Sequence, residues 1–120
     1  MTTEDVAGKL AFFHEQIHVI HWNTKVFAEH KATGEFYEYL QDFKDDIVEI
    51  LMGYTGKRVK SFKIEQVNMT ADAMDVVDSV MKFAEEMMMW ADSNKYWDVS
   101  NKSQELSGHA AKMKYLLTLS

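Results

Sequence analysis

The stretch His21-Trp22-Asn23-Thr24-Lys25-Val26-Phe27-Ala28-Glu29-His30 carries two histidines, and Asp45 and Glu49 follow further along. Two imidazoles and two carboxylates form a donor set suited to iron, zinc or manganese. Asp45 and Glu49 stand at i, i+4, so on a helix both carboxylates reach one small volume. A second candidate group is Glu15-Gln16-Ile17-His18, a single Glu-x-x-His. A di-iron site at the centre of a helical bundle needs two such motifs and a Glu from each of two further helices. No second copy is present; Glu105 and His109 have a different spacing. With no cysteine, thiolate metal sites, disulfides and thiol catalysis are excluded. No Ser-His-Asp arrangement with supporting context and no phosphate-binding glycine loop is visible.

These donors must be positioned by helices. The chain has 120 residues, no proline and only five glycines. So few breakers point to long helices in one domain, residues 1–120. Hydrophobic residues make up 47% and charged residues 27%, a balance that supports one core without cross-links. The net charge of −6 argues against nonspecific binding to nucleic acid. The one basic run, Lys57-Arg58-Val59-Lys60-Ser61-Phe62-Lys63, reads as a solvated connection. There is no secretory signal and no apolar run long enough to span a bilayer, so a cytoplasmic protein without membrane contact is expected.

Four helical segments emerge from the apolar periodicity. The first begins near Thr3, taken as its cap, and ends near Asn23-Thr24, with Val6, Leu10, Phe13, Ile17 and Ile20 as its stripe. The second runs from about Val26 to Gly53, with Phe36, Leu40, Phe43, Ile47, Ile50, Leu51 and Tyr54 as its stripe. Gly34 is a weak point in its interior. A connection from roughly Tyr54 to Met69 follows. The third helix is predicted from a Thr70 cap to about Asp92, with Met74, Val77, Met81, Ala84, Met88 and Ala91 inward. The fourth starts near Ser100 or Asn101 and continues through Leu106, Ala110, Met113 and Leu117 to the C-terminus. Two tight hairpins joined by a long crossover between helices two and three predict an all-α, ferritin-like four-helix bundle.

Helical geometry sorts the candidate ligands by face, at about 100° per residue. His14 and His21 fall at the edge of the first helix's core face. His18 lies further round, and Glu15 is opposite the core. On the second helix Glu38, Asp45 and Glu49 cluster within roughly 40° of one another on the side away from the apolar stripe, with His30 on the flank. An outward acidic face cannot serve a bundle-centre site. It can serve a site on the outer face of helices one and two that a second subunit completes. Each residue also has an ordinary reading: solvated acids, packed histidines, a core Trp22, and a Met87-Met88-Met89 run used for packing.

From Phe12 to Gly53 the residues resemble Dps-type mini-ferritins. The positions that carry the resemblance are His21-Trp22, His30, Tyr37, Leu40, Asp45, Glu49 and Gly53. The chain is also similar to short proteins of this kind encoded by bacteriophages, which would place it in the host cytoplasm. The resemblance implies an intersubunit ferroxidase site that binds iron, mononuclear or di-iron. His21 and His30 would be ligands from one chain, and Asp45 and Glu49 ligands from its twofold mate. Trp22 would lie beside the site. Where the family often has an Asp one turn after the second His, this chain has Gly34; Glu38, and more weakly Glu35, are candidate substitutes, and His18 is a further accessory residue. The resemblance implies a homo-oligomer, a twofold dimer at least, with a dodecameric cage as the family's larger form. The family's lysine-rich DNA-binding tail is absent, so DNA binding is not expected.

The leading expectation is therefore Fe(II) oxidation by oxygen or peroxide and iron sequestration that protects against oxidative damage. The alternative is a non-catalytic helical interaction module that has lost the metal site. A third is a structural zinc site across the dimer.

Overall fold

The computed structural model describes residues 1–119; Ser120, the last residue of the predicted domain, lies outside the described residues. Four helices account for most of the chain: α1 Thr3–Asn23, α2 Phe27–Thr55, α3 Ala73–Ser93 and α4 Trp97–Leu117. Helix α1 starts with a capping box, but the cap is Thr2, not Thr3. The Thr2 hydroxyl accepts from the Asp5 amide at 3.1 Å, and the Asp5 carboxylate accepts from the Thr2 amide at 2.9 Å. Helix α2 ends at Gly56, whose φ of 67° is the left-handed conformation that glycine adopts without steric cost.

Two predicted boundaries move. Helix α3 is capped by Asp72, whose carboxylate accepts from the Asp75 amide at 3.2 Å. Thr70 does not cap it: it lies in the turn before the helix, where its amide and hydroxyl both donate to the Asn68 side chain. Helix α4 begins at Trp97, about one turn before the predicted start. Val99 and Ser103 continue the inward face of Leu106, Ala110 and Met113 towards the N-terminus, and all are buried. Tyr96 packs against Trp90 and Tyr54, while the Tyr54 hydroxyl accepts from the Asp98 amide at 3.2 Å. This aromatic cluster holds the first turn of α4 in place.

The helices form two antiparallel hairpins, α1/α2 and α3/α4. Contacts of α2 with α4 and of α1 with α3 close the bundle, and the diagonal pairs have no close backbone approach. The α2/α4 pairing is antiparallel, from Tyr54 beside Asp98 through the Asp46–Lys102 ion pair (3.2 Å) to Tyr39 stacked on His109 (3.7 Å). The crossover, residues 56–72, returns along α1. Its Lys60 amide donates to Glu4, Lys9 pairs with Glu65 at 3.7 Å, and Asn68 reaches Gln16. Successive contacts thus climb α1 from its first turn towards its far end. The result is a four-helix bundle of two hairpins joined by a single lengthwise crossover. The bundle extends 45 × 26 × 18 Å, its long axis matching about 43 Å for the 29 residues of α2.

The core is built from Leu10, Phe13, Ile17, Leu40, Ile47, Leu51, Val77, Val80, Met87 and Leu106, all essentially inaccessible to water. In α3 the inward stripe uses Val76, Val80, Phe83 and Met87 beside the predicted Val77, Ala84 and Ala91; Met74, Met81 and Met88 are only partly buried. Of the methionine run, Met87 packs and Met89 faces solvent. The basic run lies in the crossover and is exposed apart from Val59.

Gln16 ties the crossover down. Its amide nitrogen donates to the Asn68 carbonyl and its oxygen accepts from the Asn68 amide, both at 2.8 Å, while the side chain is 1% exposed. Gln16→Ala leaves the Asn68 amide without this partner and its carbonyl with only the Ala71 amide at 3.3 Å, an expected loss of about 1–3 kcal/mol in chemical unfolding. Hydrogen exchange should rise at Asn68 and its neighbours. Exchange as slow as in the parent protein would deny Gln16 this role. Burial, with the nearby Glu105 carboxylate, pushes the Tyr39 phenol up from 10.0 to about 12. The folded state therefore holds this proton more tightly than the unfolded chain. The resulting stability is fully present below pH 10.0 and is lost as pH rises towards about 12. Ultraviolet difference titration should show one tyrosine ionising late, and Tyr39→Phe should remove that step.

Candidate metal centre

The turn between α1 and α2 is only Thr24 to Val26. It leaves the last carbonyls of α1 facing the first turns of α2, and helix-end carbonyls need partners. The Thr24 amide serves Ile20 at 2.9 Å. The His21 carbonyl is served by a side chain: His30 Nδ1 donates to it at 2.9 Å. His21 Nδ1 makes the reciprocal bond, donating to the His30 carbonyl at 2.6 Å. The rings stack with centroids 3.8 Å apart and planes 16° from parallel.

Both acceptors are carbonyls, so both Nδ1 atoms must carry the hydrogen. In the neutral rings each Nε2 then holds its lone pair. A histidine whose Nδ1–H is held by a backbone carbonyl is oriented for metal binding through Nε2.

Gly34 makes this seat. A Cβ at position 34 would stand 2.9 Å from His21 Cε1 and 3.2 Å from its Nδ1. The glycine that reads as a helix weakness in the sequence is where the His21 ring lies against α2. Thr33 adds a longer contact, its hydroxyl 3.4 Å from His21 Nδ1 while donating to the Glu29 carbonyl at 2.7 Å.

The seam continues along α1. Tyr37 of α2 lies 4.2 Å from His18, 5.3 Å from His21 and 5.6 Å from His14, ring centre to ring centre. His18 is half-buried between Tyr37 and Trp22, which is 4.1 Å away. It does not project away from the protein as its helical angle predicts, because the α2 aromatics reach around to meet it. Trp22 is no core residue: it is 62% exposed, and Phe27, across the turn, is 78% exposed.

Asp45 and Glu49 lie exposed on the outer face of α2, as does Glu38; Glu35 is exposed too but borders α4, beside His109 and Lys112. Fifteen residues separate His30 from Asp45 on one helix, about 22 Å along its axis. One chain therefore brings His21 and His30 together and keeps Asp45 and Glu49 apart from them. A further cluster, His14, Glu15 and His18, places one donor atom from each residue within 4.8 Å of the others. The Glu15–His18 half was visible as a Glu-x-x-His. His14 was legible only as an i, i+4 partner of His18.

The fold and seam define a four-helix bundle with histidines along the outer groove of its first hairpin. Residues 21–117 match a family of unknown function (DUF5856), and the chain belongs to that family. The matched span contains His21, His30, Asp45 and Glu49, and starts after His14, Glu15 and His18. No curated protein and no solved structure matches the chain.

Gly34→Ala tests the seat. At an ordinary interior helix position this change stabilises by up to about 1 kcal/mol. Here the methyl must displace the His21 ring, so no gain or a net loss is expected. The imidazole resonances of His21 and His30 should shift together in NMR spectra. A full gain with both resonances unmoved would refute the contact.

Proposed function

We propose that this protein binds Fe(II) and oxidises it, in the manner of a Dps-type mini-ferritin. The observation that carries the reading is the reciprocal His21–His30 lock, which presents two oriented imidazoles and commits neither Nε2. Two neutral nitrogens alone hold Fe(II) weakly and do little to favour Fe(III); carboxylates supply the missing charge. Asp45 and Glu49 have no ion-pair or hydrogen-bond partner for their carboxylates within the described chain. Their distance from the histidines requires that they act on the pair of a second copy, in a twofold dimer or a larger cage. Exposed Trp22 and Phe27 flank the histidines and would be covered by such a contact. Trp22 is also placed to intercept radicals escaping the site.

Iron is the substrate. With hydrogen peroxide as oxidant, two Fe(II) ions give one electron each, the O–O bond breaks, and two protons are taken up to release two waters. The protein's part is to hold the ion, and no side chain need act as acid or base. The reading includes sequestration of the ferric product if a closed cage forms.

The test is an anaerobic Fe(II) titration of metal-free protein, followed by peroxide, with particle size measured alongside. Saturable binding and rapid oxidation in an oligomer are expected. Asp45→Asn and His30→Asn should each weaken Fe(II) binding by about tenfold or more without unfolding the exposed positions they occupy. Unchanged binding in both variants would leave a helical interaction module whose acidic face is simply solvated.

A further inference from the structure

A second group of donors lies one to two turns before His21 on α1, and it is complete within one chain. We propose that His14, Glu15 and His18 form a mononuclear site for a divalent transition ion of the zinc class. It is separate from the intersubunit site above and does not need a second subunit.

Three observations converge. A nitrogen from each imidazole and a Glu15 carboxylate oxygen lie within 4.8 Å of one another. His14 Nδ1 and Glu15 Oε1 are already 3.0 Å apart. Metal–ligand bonds near 2.1 Å place neighbouring donors about 3.0–3.4 Å apart, so this pair stands at a coordination span. Closure from 4.8 Å to that span needs side-chain rotation, for which Glu15 is exposed and His18 half-buried.

Next, His14 Nε2 is buried and has no hydrogen-bond partner, alone in this among the buried side-chain nitrogens and oxygens of the described residues. The Glu15 carboxylate only accepts, so it fixes the hydrogen of His14 on Nδ1. An ion held at Nδ1 replaces that hydrogen, which moves to Nε2, the ring's other tautomer. Nε2 has no hydrogen-bond partner to lose in that change.

Finally, the site is held rigid from behind. Tyr37 packs against both imidazoles and Trp22 covers His18. Preorganisation of this kind lowers the ordering cost of binding. Two imidazoles and one carboxylate suit Zn(II) and leave a coordination position for water. The group faces the outer groove of α1 and α2, which distinguishes it from a bundle-centre Glu-x-x-His.

Zn(II) titration of the metal-free full chain by calorimetry, with Co(II) absorption as a spectroscopic probe, tests the site. Glu15→Gln and His18→Asn should each weaken one class of Zn(II) site at least tenfold and abolish its Co(II) spectrum. His30→Asn should retain that class. Circular dichroism and melting curves establish that the variants fold. Glu15→Gln, at an exposed position, decides the matter if His18→Asn does not fold. Zn(II) uptake by Glu15→Gln equal to that of the parent protein, or loss of the only Zn(II) site in His30→Asn, would overturn the proposal. Asp45→Asn should leave this site intact, so failure of the iron reading and failure of this one are told apart.

Discussion

The end of α1 must dispose of its carbonyls within a turn of three residues. Many helices solve this with a glycine in the left-handed conformation after the last turn. Thr24 stays extended here, with ψ of 144°, and the chain turns directly into α2. A histidine from α2 completes the end of α1, and a histidine from α1 returns the bond. The same two contacts set the spacing of the hairpin and the orientation of both rings. Backbone closure and ligand orientation are thus one event. Loss of either ring would loosen the turn as well as remove a donor.

That closure has consequences along the bundle. With α2 fixed against one flank of α1, the crossover takes another. It passes so near α1 that a Cβ on Gly8 would collide with the Lys63 carbonyl oxygen. Gln16 then meets Asn68 through paired amide bonds. What remains uncovered is the outer groove between α1 and α2, where His14, His18 and His21 sit half-buried against Tyr37. The groove is a product of topology: the hairpin and the crossover compete for α1, and neither covers this strip.

The helices and the crossover were legible because periodicity over twenty or more residues outweighs local ambiguity. The stripe from Val6 to Ile20 is core in the structure, as are Phe36, Leu40, Phe43, Ile47 and Leu51 of the second, whereas Ile50 is only partly buried and Tyr54 is exposed. Helix starts were less legible, since they turn on which polar side chain is free. Thr70 bonds Asn68 in the turn before the helix, and Asp72 caps α3. Trp97 begins α4 because the cap residue before it, Tyr96, is held by Tyr54 of α2 and Trp90 of α3. The site was legible in residue type but not in relation. That His21 and His30 share a turn follows from sequence; that their Nδ1 atoms are committed to each other's carbonyls does not. Gly34 reads as a weakness when only helix propensity is weighed, and as a seat once the His21 ring is placed above it.

The two donor groups on this groove differ in completeness, and that difference has thermodynamic weight. His14, Glu15 and His18 include a carboxylate on the same helix, so ion binding there would add stability to a single chain by mass action. His21 and His30 offer nitrogens only, and Asp45 of their own chain is about 22 Å away along α2. An ion bound by both halves would favour association over the free chain by the same linkage, and dilution would release it. Metal occupancy at one position would then follow the metal concentration alone, while at the other it would follow metal and protein concentration together. The aromatic pair beside the second position, Trp22 and Phe27, adds apolar area to that association. The shortest turn in the bundle is therefore the place where folding, assembly and ion binding would meet.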